Sequence, residues 1–172
     1  MNISTRRLFA ALTLAITSCL TPATCLSQGD EPGALHAGAA VVDVSPRHFP
    51  VNMLGQFNEN FAETVHDPLY ARAIVLKNDQ SHIAMVVVDN LGVDPDAIEA
   101  AKQLAAKQTN LPTHRIMVSS THTHTAPPTG ITTAGTTAAK YRELMINGIV
   151  ESIVKAHNNL RTVEFGFNVK PL

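Results

Sequence analysis

Residues 70–89, YARAIVLKNDQSHIAMVVVD, carry the strongest secondary-structure signal in the chain. Two apolar runs rich in β-branched residues, 70–76 and 82–88, are separated by the five polar residues KNDQS. This pattern predicts a β-hairpin. The second run ends at Asp89, a carboxylate at the carboxyl end of a strand, which is where the sites of α/β sheets gather.

The sequence before the hairpin predicts one more strand and a long connection. Residues 37–44 form an apolar run closed by Ser45-Pro46, which is typical of a strand. Residues 45–66 contain Pro, Asn, Gly and Phe without clear periodicity. Connections of this length more often line a site than merely join two elements.

The sequence after the hairpin predicts a helix, a strand and a second helix. Asp94-Pro95 has the chemistry of a helix start, and the helix is expected to end near Thr109-Asn110. Residues 115–118 then predict a strand that runs parallel to the preceding one through a right-handed crossover. A second helix is predicted over about 138–158. The apolar face predicted for the first helix is Ile98, Ala101, Leu104 and Ala105.

The chain closes with residues 163–169, whose alternation of apolar and polar side chains predicts a final strand. The order of elements is therefore β-β-β-α-β-α-β. We expect an α/β fold, with a mixed β-sheet layered with helices in a single domain.

The composition excludes several classes of partner. The formal net charge is −1 and 16% of residues are charged, so the chain has no basic stripe for nucleic acid. Trp is absent and aromatic residues are 5%, which argues against a binder that stacks bases or sugars.

The first 27 residues read as a signal peptide, and 28–36 as a flexible lead-in to the domain over 37–172. Arg6 and Arg7 supply a positive start, 8–20 is an apolar run too short to span a bilayer, and small polar residues follow. This pattern predicts a secreted or periplasmic protein. The stretch ending at Cys19 also resembles a bacterial lipoprotein box, which leaves open a lipid anchor on Cys19. The other cysteine, Cys25, lies in the leader too, so no disulfide framework is predicted.

Cleavage of this leader gives the first testable prediction. Intact-mass analysis of the exported protein should show the loss of roughly the first 25 to 28 residues. A lipidated Cys19 would instead select the anchored form, and a cytoplasmic protein that retains its leader would contradict export.

Residues 119–128, SSTHTHTAPP, leave the end of a predicted core strand and carry the candidate chemistry. In an extended chain residues i and i+2 point the same way, so His122 and His124 are expected on one side. Neutral imidazoles bind zinc well, and zinc makes water reactive at neutral pH. The alternative is a polar surface turn whose histidines have no function. The concentration of histidines, hydroxyl groups and prolines at a strand end favours the metal.

Other polar residues have simpler interpretations. Asp89 is more often a turn former than a catalytic base. His66-Asp67 could act from the long connection as a pair that supports a ligand. His157 is expected to interact with the C-terminus of its helix as a cation, and Asp94 and Asp96 are explained by the start of theirs. The remaining histidines are expected to be solvated or locally bonded: His36, His48, His82 and His114.

The segment Thr121-His122-Thr123-His124-Thr125-Ala126-Pro127 resembles the Thr-His-Thr-His-Ser-Gly-Pro signature of the neutral, non-lysosomal ceramidases. The similarity covers residues 36 to 170. It includes the strand over 42–46, the element over 52–55, the stretch 66–73, Val87-Val88-Asp89, and the helix over 147–160.

The resemblance implies a zinc amidohydrolase that cleaves the N-acyl bond of ceramide, an N-acyl sphingolipid, or of a related small amide. It implies that His122 is a zinc ligand and that His124 lies beside the metal, takes part in catalysis and contacts the substrate. It also implies that Gly55 approaches the substrate head. The sequence departs from the family pattern at Gln56, Ala126 and Pro128, and the last two stiffen the loop. A stiffer loop is expected to favour a smaller or more polar amide.

The remaining zinc ligands of the family, a His, a Glu and a Tyr, are expected beyond Leu172. A catalytic zinc normally needs three protein ligands, which His122 and one neighbour do not complete. Two expectations follow: the chain is the N-terminal part of a larger catalytic domain, or it is a truncated, non-catalytic exported domain that binds a ligand or partner. Contact with a membrane surface, through a lipid substrate or a lipidated Cys19, is compatible with either.

Overall fold

A five-stranded mixed β-sheet forms the centre of the protein in a computed structural model that describes residues 33–55, 57–130 and 133–170. The signal peptide predicted over 1–27, its Cys19, most of the lead-in and Gln56 lie outside the described residues. The elements in chain order are β1 (His36–Asp43), β2 (Val51–Asn52), β3 (Phe61–Ala62), β4 (Tyr70–Lys77), β5 (His82–Val88), α1 (Pro95–Thr109), a 3-10 turn (Thr113–Arg115), β6 (Ile116–Ser120), α2 (Thr137–Asn158) and β7 (Arg161–Thr162).

The sheet has the order β6-β5-β4-β1-β7. The predicted hairpin is confirmed, since β4 and β5 pair antiparallel from Ala71 with Val88 to Lys77 with His82. The predicted crossover is also confirmed, because β6 runs parallel to β5 after α1. The mixed α/β class follows from these pairings. Within the described ranges, neither helix is long and apolar enough to cross a membrane.

Both helices pack on one face of the sheet, where the strands carry small apolar side chains. Ala71, Ala73 and Val75 of β4 are buried there beneath α2. A glycine in α2 sets the distance between this helix and the sheet, since a Cβ on Gly148 would lie 2.2 Å from Cγ1 of Val44. Contact this close excludes any larger residue without movement, so the helix seats directly on the end of β1.

Among the described residues, no helix covers the opposite face of the sheet, which is called the open face here. It carries apolar side chains from four neighbouring strands that are 39–58% exposed: Val41, Ile74, Val87 and Met117. The pairing register places Val41 and Val87 on either side of Arg72, and Ile74 and Met117 on either side of Met85. Apolar side chains therefore extend across this face from β1 to β6, with the exposed Arg72 among them.

Three sequence expectations need correction. In α1 the buried face is Ala97, Ala101, Ala105 and Thr109, and Leu104 is half exposed, because small residues let α1 lie against α2. The final strand is only Arg161–Thr162. Its partner β1 begins at His36, and a last backbone bond from Val163 to Leu35 ends the pairing. The connection 45–66 is also not wholly irregular, since β2 and β3 pair within it.

Candidate active site

The loops that follow β5 and β6 lie side by side, because these parallel strands end at the same edge of the sheet. The amide of Thr121 donates to the carbonyl of Val88 at 2.9 Å, which carries the ladder one residue past β6. The chain then enters the histidine segment, which faces the loop 89–92. This adjacency places His122 against the turn after β5.

His122 has a left-handed backbone, with φ of +63°. The expectation of an extended segment is therefore wrong at this residue, because the chain turns sharply there. The turn nevertheless keeps the two histidines together. The ring centroids of His122 and His124 lie 5.2 Å apart, and the two rings are nearly perpendicular. The structure thus brings the two predicted site histidines into contact by a different backbone path.

The ring of His122 is oriented by a backbone carbonyl. Its Nδ1 lies 2.8 Å from the carbonyl oxygen of Leu91. A carbonyl only accepts hydrogen bonds, so Nδ1 carries the proton and donates it. In the neutral imidazole Nε2 then keeps its lone pair. Metal-bound histidines show this arrangement, with one nitrogen on the metal and the other donating to a carbonyl or carboxylate.

His124 is held in the same way by Gly55, 69 residues earlier in the chain. Its Nδ1 donates to the carbonyl of Gly55 at 3.0 Å, and the amide of Leu54 donates to Ala126 at 3.0 Å. Gly55 has φ of +92°, and a Cβ there would lie 2.5 Å from Cγ of His124. Only glycine fits, both for its backbone and for its contact with the ring.

Asn90 is the site residue that the sequence did not predict. Its side chain is completely buried, donates from Nδ2 to the carbonyl of Pro127 at 3.0 Å, and accepts from the amide of Gly92 at 3.0 Å. An asparagine two residues before a glycine at a strand end is a common turn signal. That signal alone does not reveal the second bond, which depends on the tertiary packing of the two loops.

Asp89 is engaged in structural contacts. Its Oδ2 accepts from the amide of Tyr70 at 2.9 Å and from the guanidinium of Arg72 at 2.7 Å. The carboxylate ties the two ends of the hairpin together. The structure thus favours the structural interpretation of Asp89 over a catalytic base.

A cavity of about 440 Å³ lies beside the histidine segment. Thr123 and Thr125, whose hydroxyls are 2.9 Å apart, form part of its wall, and β2 and β3 contribute to it. The long connection therefore does line a cavity. The predicted pair His66-Asp67 is present at its rim with Nδ1 and Oδ2 3.1 Å apart, and both side chains are almost fully exposed.

His157 departs from its predicted role as a helix-terminal cation. It lies in the last turn of α2, and its Nδ1 is 3.3 Å from Nε2 of His82. Burial lowers the pKa of both imidazoles, and the positive charge of Lys77 lowers each further. The neutral forms are therefore favoured, and His82 is a partner of α2. Asp94 occupies the N-cap position of α1, but its side chain makes no capping hydrogen bond and accepts from the Thr129 hydroxyl instead. Asp96 lies in the first turn of α1, as expected, and also pairs with Arg142.

The described residues do not complete a metal site by themselves. Within 33–55, 57–130 and 133–170, no group of three His, Cys, Asp or Glu side chains is placed to hold a metal ion. The donor chemistry at His122 still fits zinc, because the free Nε2 is the form that a metal requires. His122 can therefore serve as one ligand, with the Leu91 carbonyl behind it.

The α/β fold is similar to part of a solved neutral ceramidase. The structure superposes on the crystal structure of neutral ceramidase from Pseudomonas aeruginosa with a TM-score of 0.65 and 22% identity, covering 77% of this chain and 23% of that one. A ceramidase complexed with C2 is similar at a TM-score of 0.59 and 20% identity, with 76% and 22% of the two chains covered.

The sequence defines the family. Residues 35–172 match the profile of neutral/alkaline non-lysosomal ceramidase, N-terminal, and the chain belongs to this family. Neutral ceramidase 2 of Arabidopsis thaliana is 29% identical over 134 residues, which are 72% of this chain and 18% of the plant protein. The chain thus spans less than a quarter of the length of these relatives.

Proposed function

We propose that this chain forms the N-terminal part of the catalytic domain of a zinc-dependent amidohydrolase that cleaves the N-acyl bond of ceramide or a related amide. The observation that carries the proposal is the His122 imidazole, whose Nδ1 is bound by the Leu91 carbonyl. Membership of the ceramidase family supports the same conclusion. The proposal includes export, which the mass measurement on the leader tests.

The residues of the chain have distinct parts in this reaction. His122 would hold zinc through Nε2, with ligands supplied from outside the described residues. Zinc, when bound, supplies a Lewis acid and makes water nucleophilic at neutral pH. His124 donates from Nδ1 to Gly55, so its Nε2 is left to accept a hydrogen bond from a hydroxyl of the substrate head. The Gly55 contact fixes that acceptor in place, which orients the amide for attack.

Hydrolysis should depend on metal and on the complete protein. We expect the complete gene product to cleave a fluorescent ceramide or a short N-acyl amide, to lose most of this activity with a chelator, and to recover it with added zinc. The 172-residue chain alone should be inactive, because the described residues do not complete a ligand set. Product release measured by chromatography decides the result.

Two outcomes would contradict this function. Cleavage that a chelator does not affect would show that the reaction does not depend on zinc. A zinc-loaded complete protein that cleaves no N-acyl substrate would favour the non-catalytic binding domain. In that case a ceramide-binding measurement would be the next discriminating experiment.

A further inference from the structure

We propose that Asn90 is a positioning residue that orients His122 for metal binding. The inference rests on the proposed function, because it assigns Asn90 a role through the ligand His122. Asn90 is fully buried and sits between the two loops of the site. Its side chain accepts from the amide of Gly92 and donates to the carbonyl of Pro127, and both partners are loop backbone.

The first bond fixes the carbonyl that holds His122. Oδ1 of Asn90 accepts from the amide of Gly92 and closes a turn around Leu91. The carbonyl of Leu91, at the tip of this turn, is the acceptor for Nδ1 of His122 at 2.8 Å. If the turn opened, that carbonyl would rotate, and the imidazole would lose the contact that keeps Nε2 unprotonated and directed. Asn90 therefore acts on His122 through Leu91.

The second bond fixes the other end of the histidine segment. Nδ2 of Asn90 donates to the carbonyl of Pro127, and the neighbouring carbonyl of Ala126 accepts from Leu54. Leu54 precedes Gly55, whose carbonyl holds His124. A single buried amide thus stabilises the backbone behind both histidines.

The side chain at position 90 has to satisfy two backbone groups. Burying an amide is unfavourable unless its hydrogen bonds are made, and an apolar residue here would leave the Gly92 amide and the Pro127 carbonyl without this partner. Tyr141 packs on the helix side of Asn90, and its buried hydroxyl approaches the Asn90 amide without reaching hydrogen-bond geometry. The polar requirement at position 90 therefore arises from the loops of the site.

The test compares three variants of the complete gene product: Asn90→Ala, Asn90→Ser and Tyr141→Phe. Alanine and serine leave nearly the same space, but the serine hydroxyl can still accept from the Gly92 amide. We expect Asn90→Ala to raise the dissociation constant for zinc about 10- to 100-fold, the usual effect of losing support behind a ligand. Asn90→Ser should raise this dissociation constant less, and Tyr141→Phe should bind zinc almost as the unsubstituted protein does.

Zinc affinity is measured by competition with a chromophoric chelator, and the visible spectrum of the cobalt-substituted protein reports the geometry at His122. Circular dichroism identifies variants that remain folded. Equal affinity in folded Asn90→Ala, or equal losses in Asn90→Ala and Asn90→Ser, would overturn the inference while leaving the proposed function intact. Absence of His122-dependent zinc in the unsubstituted protein would overturn both.

Discussion

Replacing His122 with alanine should remove most of the bound zinc from the complete gene product. His122 offers a free Nε2 because its Nδ1 donates to the Leu91 carbonyl. A catalytic zinc normally has three protein ligands and a water, so losing one imidazole leaves too few donors to retain the ion. Elemental analysis after purification without chelators measures the zinc content directly.

Two other histidines provide matched controls for this loss. His114→Ala removes an imidazole from the 3-10 turn before β6, and His157→Ala removes the partner of His82 at the end of α2. Both variants should retain as much zinc as the unsubstituted protein. Equal zinc content in the unsubstituted protein and in His122→Ala would refute the ligand assignment.

Replacing Gly55 with alanine should lower amide hydrolysis by roughly 100-fold or more, since misplacing a catalytic group by about 1 Å can have an effect of this size. The new Cβ would lie 2.5 Å from Cγ of His124, and the φ of +92° is unfavourable for any residue with a side chain. The ring must therefore move, and it loses the bond to the Gly55 carbonyl. Steady-state kinetics on the complete protein tests this prediction.

The control for backbone strain is Gly33→Ala. Gly33 has a similar φ of +84°, but a Cβ there would meet nothing within 4 Å. The activity of the Gly33→Ala variant should stay close to that of the unsubstituted protein. The double variant Gly55→Ala, His124→Ala should be no less active than His124→Ala alone. An additional large loss in the double variant would show that Gly55 acts through another group.

The sheet could be predicted from sequence because its signals are local. The β4–β5 hairpin follows from two apolar runs and a polar turn, and the parallel placement of β6 follows from the handedness of crossovers. The pattern at 163–169 is also strand-like. The predicted strand does not form because a strand needs a partner, and the described residues next to β1 pair with it only as far as the Leu35 carbonyl.

The sequence indicates part of the candidate site. The motif and its family resemblance indicated His122, His124 and Gly55, and the last two do meet although 69 residues separate them. The left-handed turn at His122 could not be predicted from the sequence, because a glycine usually signals this conformation and the residue here is a histidine. Asn90 was missed because its burial and its bond to Pro127 exist only once two distant loops are packed.

The open face of the sheet has a thermodynamic consequence. Val41, Ile74, Val87 and Met117 are each about half in water, and full burial of such side chains contributes about 1.5–3 kcal/mol apiece. Covering all four would therefore add several kcal/mol, which is comparable to the net stability of a whole domain, about 5–15 kcal/mol. The helices therefore bury only one face of the sheet, and the apolar side chains of the open face contribute less stability than they would if fully buried. The strand that leads into His122 belongs to that same sheet, so covering the open face would also stabilise the strand that carries this imidazole.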